Sequence, residues 1–174
     1  GTLNFEWLKS FVKDIFENFG INFDEEKFIN NIDNLVSNSS PGTLIYHPYI
    51  SEAGERGPFI NSQARASFIG LRTKNKLSDF TRSLLEGLCF AAKECYLAMG
   101  DIPKEIRVAG GGSNSNSIIE LFSSILSTSI RKSNRNQAGA AGAAMIGAMS
   151  LNIYNNWNDC FNDWVNPYLG KLEN

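Results

Sequence analysis

Apolar residues recur along the chain at two spacings, which mark out helices alternating with short strands. Phe5, Leu8, Val12, Ile15, Phe16 and Phe19 share one face of a helix expected from about Asn4 to Phe19, which Gly20 stops. A second helix is expected from about Asp24, with Glu25 and Glu26 in its favourable first turn and Phe28, Ile32, Leu35 and Val36 facing inward. After a loop over 37–42, Thr43–Tyr46 reads as a strand that must end at Pro48. His47 to Arg65 is polar and broken by glycine and proline; it is long for a connector, and Glu55 and Arg56 between Gly54 and Gly57 suit a loop tied down at an interface. Ala66–Leu71 reads as a short strand. A long helix then opens near Ser78 or Asp79, buries Phe80, Leu84, Leu88, Ala91 and Cys95, and stops at Gly100, with Pro103 preventing a restart.

The pattern changes character in the middle of the chain. Ile106–Ala109 is a strand-like apolar run, Gly110, Gly111 and Gly112 end it, and Ile118, Leu121, Phe122, Ile125 and Leu126 resume at helical spacing. A glycine-rich turn between strand and helix lets the backbone approach a ligand with no Cβ in the way. It also aims the unpaired N–H groups of the helix start at that ligand, which favours phosphate or ribose oxygens. Ser117 with Glu120 fits a capping box, while Ser113 or Ser115 could cap a slightly longer helix. Two familiar nucleotide motifs fail here. No Lys-Ser/Thr pair follows the glycines as a P-loop requires, and a dinucleotide fingerprint starting at Gly110 needs Gly or Ala at position 115, which is Ser, and an acid about 20 residues on, where Thr128–Arg135 has none. The plain alternative is a turn whose glycines serve strand–helix packing.

Thr128–Ser133 reads as another strand, and Gln137–Met149 as a helix of small residues. Glycine in a helix interior costs about 1 kcal/mol relative to alanine. Gly139, Gly142 and Gly147 therefore call for close approach to a neighbouring backbone or to a flat ligand; the segment is too short and too little apolar for a membrane-spanning dimer helix. Tyr154, Trp157, Phe161, Trp164 and Tyr168 then recur at helical spacing near Pro167, as core or as an interface.

Composition narrows the class. The 174 residues suit one α/β domain, and 43% hydrophobic with 20% charged residues is ordinary for a globular protein. A net charge of −2 gives no electrostatic reason to expect nucleic acid or an anionic membrane, and no apolar run approaches a spanning helix. Cys89, Cys95 and Cys160 have no metal-ligand spacing and cannot all pair, so reduced thiols in the cytoplasm are the simplest account. The lone histidine, His47, precedes a proline and reads as a hydrogen-bonded structural residue rather than a base. The chain opens directly into a helical pattern without an initiator Met, as an excerpt from something longer would.

Ala66-Ser-Phe-Ile-Gly-Leu71 and, seven residues later, Asp79-Phe-Thr-Arg-Ser-Leu-Leu-Glu86 resemble, position for position, the second signature of the FGGY carbohydrate kinases. The Tyr49…Gly54-Glu-Arg-Gly-Pro58 loop, the Gly110-Gly-Gly turn, the Ala/Gly-rich helix after Gln137 and the opening Gly1…Glu6-Trp7-Leu8 are similar in the same order, and His47–Phe59 looks most like the erythritol and xylulose kinase branch. The resemblance implies a ribonuclease-H-like lobe of the actin-like ATPase fold, incomplete on its N-terminal side, spanning 1–174. It implies an ATP- and Mg2+-dependent parent that phosphorylates a sugar or polyol, with a homodimer among its allowed assemblies. Gly110, Gly111, Gly112, Ser113, Ser115 and Asn116 would line the nucleotide, with Gly1 and Thr2 contributing from another side and the small-residue helix forming a packed wall behind them. The family's catalytic Asp, its phosphate loop and most of its sugar site precede these residues, in an N-terminal lobe, so no catalytic or metal-binding residue is assigned and Glu86 reads as structural. An actin- or heat-shock-like regulator and a non-catalytic truncated module are the alternatives from other classes.

Overall fold

The computed structural model describes residues 2–135 and 137–173. It is mixed α/β, and the chain forms two compact units: one runs through Ile102 and takes in Ser124–Leu126, and the other holds Pro103–Ser123 and the chain from Ser127 onward.

The first unit is built from helices α1 (Thr2–Asn18), α2 (Glu25–Asn30), α3 (Ile32–Ser37) and α4 (Leu77–Ala98), with strands β1 (Ile45–His47) and β2 (Ser67–Ile69). The strands pair antiparallel, with Tyr46 opposite Phe68. Leu8, Val12, Phe28, Ile32, Val36, Leu44, Leu84 and Leu85 form the core. Tyr46, Phe68 and Phe80 continue it as a run of rings, with centroids 4.5 and 4.9 Å apart. The expected apolar face of α1 is buried only at Leu8 and Val12; Ile15, Phe16 and Phe19 are exposed, because the buried face follows the 4-8-12 row and not the whole stripe.

The expected second helix is two. Its apolar spacing continues across Asn31, but the Asn31 N–H closes α2 on the carbonyls of Lys27 and Phe28, both at 3.1 Å. The Asn31 carbonyl then accepts from Leu35 N at 2.9 Å and starts α3 afresh. Asp24 caps α2 by accepting from Lys27 N, as the acidic first turn suggested. In α4, close packing decides where glycine must stand: a Cβ added at Gly87 would fall on the Tyr46 carbonyl oxygen, so β1 lies directly against the helix backbone.

In the second unit, β3 (Glu105–Val108) pairs parallel with β4 (Ser129–Ser133), and β5 (Leu169–Glu173) pairs antiparallel with β4. Helix α5 (Asn116–Leu126) connects β3 to β4, the crossover a parallel pair requires. Two further helices, α6 (Ala138–Ser150) and α7 (Trp157–Trp164), precede β5. Ile106, Ile119, Leu121, Ile130, Met145 and Cys160 are buried. The residue pattern of β5 predicts no strand; Gly170 interrupts it, and ladder pairing with β4 supplies the order that its composition lacks.

The small-residue helix lacks one of the two neighbours that its glycines call for. A Cβ at Gly139, Gly142 or Gly147 meets no described atom within 4 Å, so no described backbone comes close to these glycines, and of the two expected neighbours a flat ligand is left. α6 packs on α7 and buries Met145 and Ala148 instead. The aromatic stripe is likewise only partly core: Trp157 and Phe161 stay exposed, while Trp164 and Tyr168 receive the Arg135 guanidinium, whose carbon lies 3.7 Å from the Tyr168 ring centroid.

These contacts set opposite outcomes for two glycines. Gly87→Ala should destabilise by about 1–3 kcal/mol through overpacking. Gly142→Ala should be neutral or stabilise by up to about 1 kcal/mol through helix propensity. Urea midpoints of the two variants test this, and equal losses at both sites would refute it.

Candidate functional site

The glycine turn lies where the sequence puts it, at the C-terminal end of β3. Gly110 has φ 94° and ψ −178°, a conformation essentially reserved for glycine. The chain then makes one 3₁₀ turn over Gly111–Asn114 before α5 begins. Ser113 braces the turn from inside: it is buried, its N–H reaches the Gly110 carbonyl at 3.0 Å, and its hydroxyl donates to the same oxygen at 2.7 Å. The cap of α5 is Ser115, whose Oγ accepts from Ile118 N at 3.3 Å, so the longer of the helices allowed by the sequence forms and Ser117 falls inside it.

Gly110, Gly111 and Gly112 are exposed, and a Cβ at any of them meets no described atom within 4 Å. Asn116 is exposed beside them in the first turn of α5. Of the other expected ligand contacts, Gly1 lies outside the described residues, and Thr2 opens α1 in the first unit with its side chain also outside the description.

The strands leading to the turn are pinned by charge. Arg131 on β4 makes a two-pronged contact with Glu105 on β3, at 3.0 and 2.9 Å, and Arg107 adds a third at 3.1 Å. These guanidinium groups, Arg131 first, hold the Glu105 carboxyl below its ordinary range.

The signature residues form a lock in the first unit. Asp79, Arg82 and Glu86 line one face of α4. Asp79 accepts from Ser39 Oγ at 2.6 Å, from Lys76 N at 2.9 Å and from Asn75 Nδ2 at 3.1 Å. Arg82 Nε reaches Glu86 at 2.6 Å, its Nη1 reaches the carbonyls of Val36 and Ser39, and the second oxygen of Glu86 accepts from Gly42 N. All three side chains are committed to holding the chain from α3 to β1, so Glu86 is structural. His47 is structural too, with Nδ1 3.1 Å from Ser67 Oγ across the β1–β2 pair. None of the three cysteines is in a disulfide, and burial pushes the Cys89 thiol up to about 12, which leaves it protonated and unreactive at neutral pH.

One polar residue that the sequence reading passes over is Asn4. It is buried in line with Leu8 and Val12 and accepts a 2.6 Å hydrogen bond from the Tyr46 hydroxyl. The signal for it is a lone amide in an apolar 4-8-12 row.

Residues 1–151 match the model of the FGGY family of carbohydrate kinases, C-terminal domain. The chain is 41% identical over 172 residues to the erythritol kinase of Brucella abortus, covering 99% of this chain and 33% of that protein. It is 31% identical to a xylulose kinase of Staphylococcus xylosus, covering 92% of this chain and 32% of that one. The structure of a ligand-bound xylulose kinase from Lactobacillus acidophilus superposes with a TM-score of 0.76 at 21% identity, over 99% of this chain and 33% of that chain, and shows the shared actin-like fold. The chain thus spans about a third of the length of the relatives it matches.

The lock carries a pH signature. Its hydrogen bonds, that of Ser39 first, hold the Asp79 carboxyl below its ordinary value of 3.8. The stability Asp79 contributes is therefore complete above that value and disappears as pH falls through the lower folded value. Asp79→Asn should lower the unfolding midpoint at pH 7 and flatten its decline between pH 5 and about 2. Parallel pH profiles for the variant and the parent chain would show that the carboxylate contributes nothing.

Proposed function

The chain belongs to the FGGY family of carbohydrate kinases, and from that premise we propose that it is the nucleotide-binding lobe, over residues 1–174, of an ATP-dependent enzyme that phosphorylates a hydroxyl of a pentulose or a tetritol. The observation that carries this reading is the open turn at Gly110–Gly112. Glycines kept for strand–helix packing would have protein atoms where their Cβ atoms would be, and these have none among the described residues. Only Gly110 needs glycine for its φ; Gly111 and Gly112 leave bare backbone in front of α5 for a ligand to approach.

The cradle fits ATP in kind. Gly110–Gly112 offer backbone to a flat or phosphate-bearing group, Ser115 and Asn116 stand at the start of an 11-residue helix whose dipole favours negative charge, and Ser113 keeps the turn in shape. ATP supplies the transferred phosphoryl group, and the residues here position it. Among the described residues no cluster of His, Cys, Asp or Glu is arranged to hold a metal, so the Mg2+ of MgATP is assigned to none of them. Phosphoryl transfer depends on positioning and charge stabilisation from both sides of the phosphates, and this lobe supplies one side. The base and the phosphate loop belong, in this reading, to an N-terminal lobe, the cytoplasm is where the parent works, and a homodimer is one form it takes.

The full-length parent should phosphorylate erythritol, xylulose or a close analogue in a coupled assay, and the 174-residue chain should turn over none of them. Turnover by the chain alone would overturn the division of labour between the lobes. Within the parent, Gly111→Val should leave the melting temperature unchanged, because its side chain enters open space, and should raise the KM for ATP at least tenfold with little change in the KM for the acceptor. A folded variant with unaltered ATP affinity would remove the turn from the site.

A further inference from the structure

The first unit contains a recess of its own. It has a volume of about 450 Å3, within the range of small-molecule sites, and its described lining includes Asn4, Tyr49, Ser51, Gly54, Glu55 and Arg56. Its outer wall is held rigidly. The backbones of Glu55 and Asn61 exchange hydrogen bonds of 2.9 and 3.0 Å, and Glu55 Oε1 accepts from the N–H groups of Arg56 at 2.7 Å and Gly57 at 3.1 Å. Gly54 is buried with φ 73°, and a Cβ there would collide with the backbone of Asn61 and Ser62.

Asn4 distinguishes this recess from an ordinary surface dip. It is only 4% exposed. The Tyr46 hydroxyl donates to Asn4 Oδ1, which fixes the amide so that both Nδ2 hydrogens point away from Tyr46. Nδ2 has no acceptor among the described residues, yet it is not sealed off, and the recess that Asn4 lines is its outlet. Nδ2 is therefore a donor open to whatever oxygen enters the recess, from water or from a ligand. The Arg56 guanidinium, likewise without a partner among the described residues, adds donors at the rim. The Glu55 carboxylate beside them repels an anion and accepts from a hydroxyl. Donors and an acceptor placed together suit groups that both accept and donate, and a neutral polyol presents several of these in a row.

We propose that this recess binds a neutral polyhydroxylated molecule, the acceptor sugar or polyol of the kinase, with Asn4 Nδ2 and Arg56 donating to its hydroxyl oxygens and Glu55 accepting from its hydroxyls. The assignment rests on the kinase reading and adds to it a contribution to acceptor recognition from this lobe. Asn4 and Arg56 are binding residues here; neither takes part in the chemical step.

Two variants of the full-length parent test it. Asn4→Asp keeps an oxygen for the Tyr46 hydroxyl and removes both N–H donors, and Arg56→Ala alters an exposed side chain that folding does not need. Each should raise the KM for the acceptor roughly three- to tenfold, the worth of one hydrogen bond, with the KM for ATP unchanged. In parallel, the Asn4 side-chain amide resonance of the wild-type protein is followed by NMR during titration with erythritol, and a saturable shift that Arg56→Ala weakens is expected. If the wild-type parent phosphorylates a polyol and the folded Arg56→Ala and Asn4→Asp proteins keep its KM, the recess is not the acceptor site and the kinase reading stands. If erythritol shifts the Asn4 amide and the parent phosphorylates no sugar or polyol, the recess binds polyol and the kinase reading falls. Absence of both the shift and the KM change overturns the proposal even if Asn4→Asp fails to fold, since Arg56→Ala reports independently.

Discussion

Arg82 and Glu86 stand one turn apart on α4 with their charged ends largely withdrawn from water, at 16% and 10% side-chain exposure. Taking two charges out of water costs several kcal/mol each, and mutual attraction repays that only when the remaining hydrogen-bonding capacity is also satisfied. Here it is. The guanidinium uses Nε on Glu86 and Nη1 on the carbonyls of Val36 and Ser39, and the other Glu86 oxygen takes the N–H of Gly42. Val36 O belongs to the last turn of α3 and already accepts from Ser39 N at 3.2 Å, so Arg82 adds a further hydrogen bond at that helix end. Holding 36–42 delivers β1 to α4 at the one place where Gly87 admits it, and β1 brings the Tyr46 hydroxyl to Asn4. An apolar pair of similar shape could fill the volume but would remove the side-chain partners of the Ser39 carbonyl and the Gly42 N–H.

How much of this was legible in the sequence depended on whether a local signal and a tertiary contact agreed. Long periodic segments are legible as elements: α4 spans Leu77–Ala98, although of its expected stripe only Leu84 is fully buried and Phe80, Leu88, Ala91 and Cys95 are half-buried, and β3, the glycine turn and α5 follow in the expected order. The break at Asn31 was invisible because Phe28, Ile32 and Val36 stay buried through it, so the apolar period never falters. Strand β5 was invisible for the opposite reason, since Leu169–Glu173 has little strand character alone and is ordered by the edge of β4. In the site, the glycine cluster could be read from sequence, whereas the assignment of the cap to Ser115 depended on a 3₁₀ turn that composition does not encode.

The glycines separate into three physical kinds. At Gly54 and Gly87 the surrounding backbone excludes a Cβ, and at Gly110 the positive φ favours glycine. At Gly111 and Gly112, and again at Gly139, Gly142 and Gly147, neither constraint acts: no described atom is within reach and no positive φ is recorded. Glycine there gives up conformational entropy on folding without a contact in return. At the turn, the proposed approach of a nucleotide would supply the missing reason. For the three in α6 no described backbone supplies one, and composition alone cannot distinguish a glycine that is packed against from one that faces open space.

Three of the acids are arranged as clamps and not as proton acceptors. A general base works best with a pKa near the operating pH and a lone pair free to receive the proton. Asp79 and Glu105 are both held below their ordinary values, by Ser39 and its neighbours in one case and by Arg131 and Arg107 in the other, which makes each a weaker base than an unperturbed carboxylate. Glu86 has both oxygens engaged, one by Arg82 and one by Gly42 N. The interactions that make these three carboxylates good clamps are the same ones that disqualify them as proton acceptors. Their number and placement on α4 and β3 therefore count toward rigidity, and a chemical step that needs a base must find it on a group held less firmly than these.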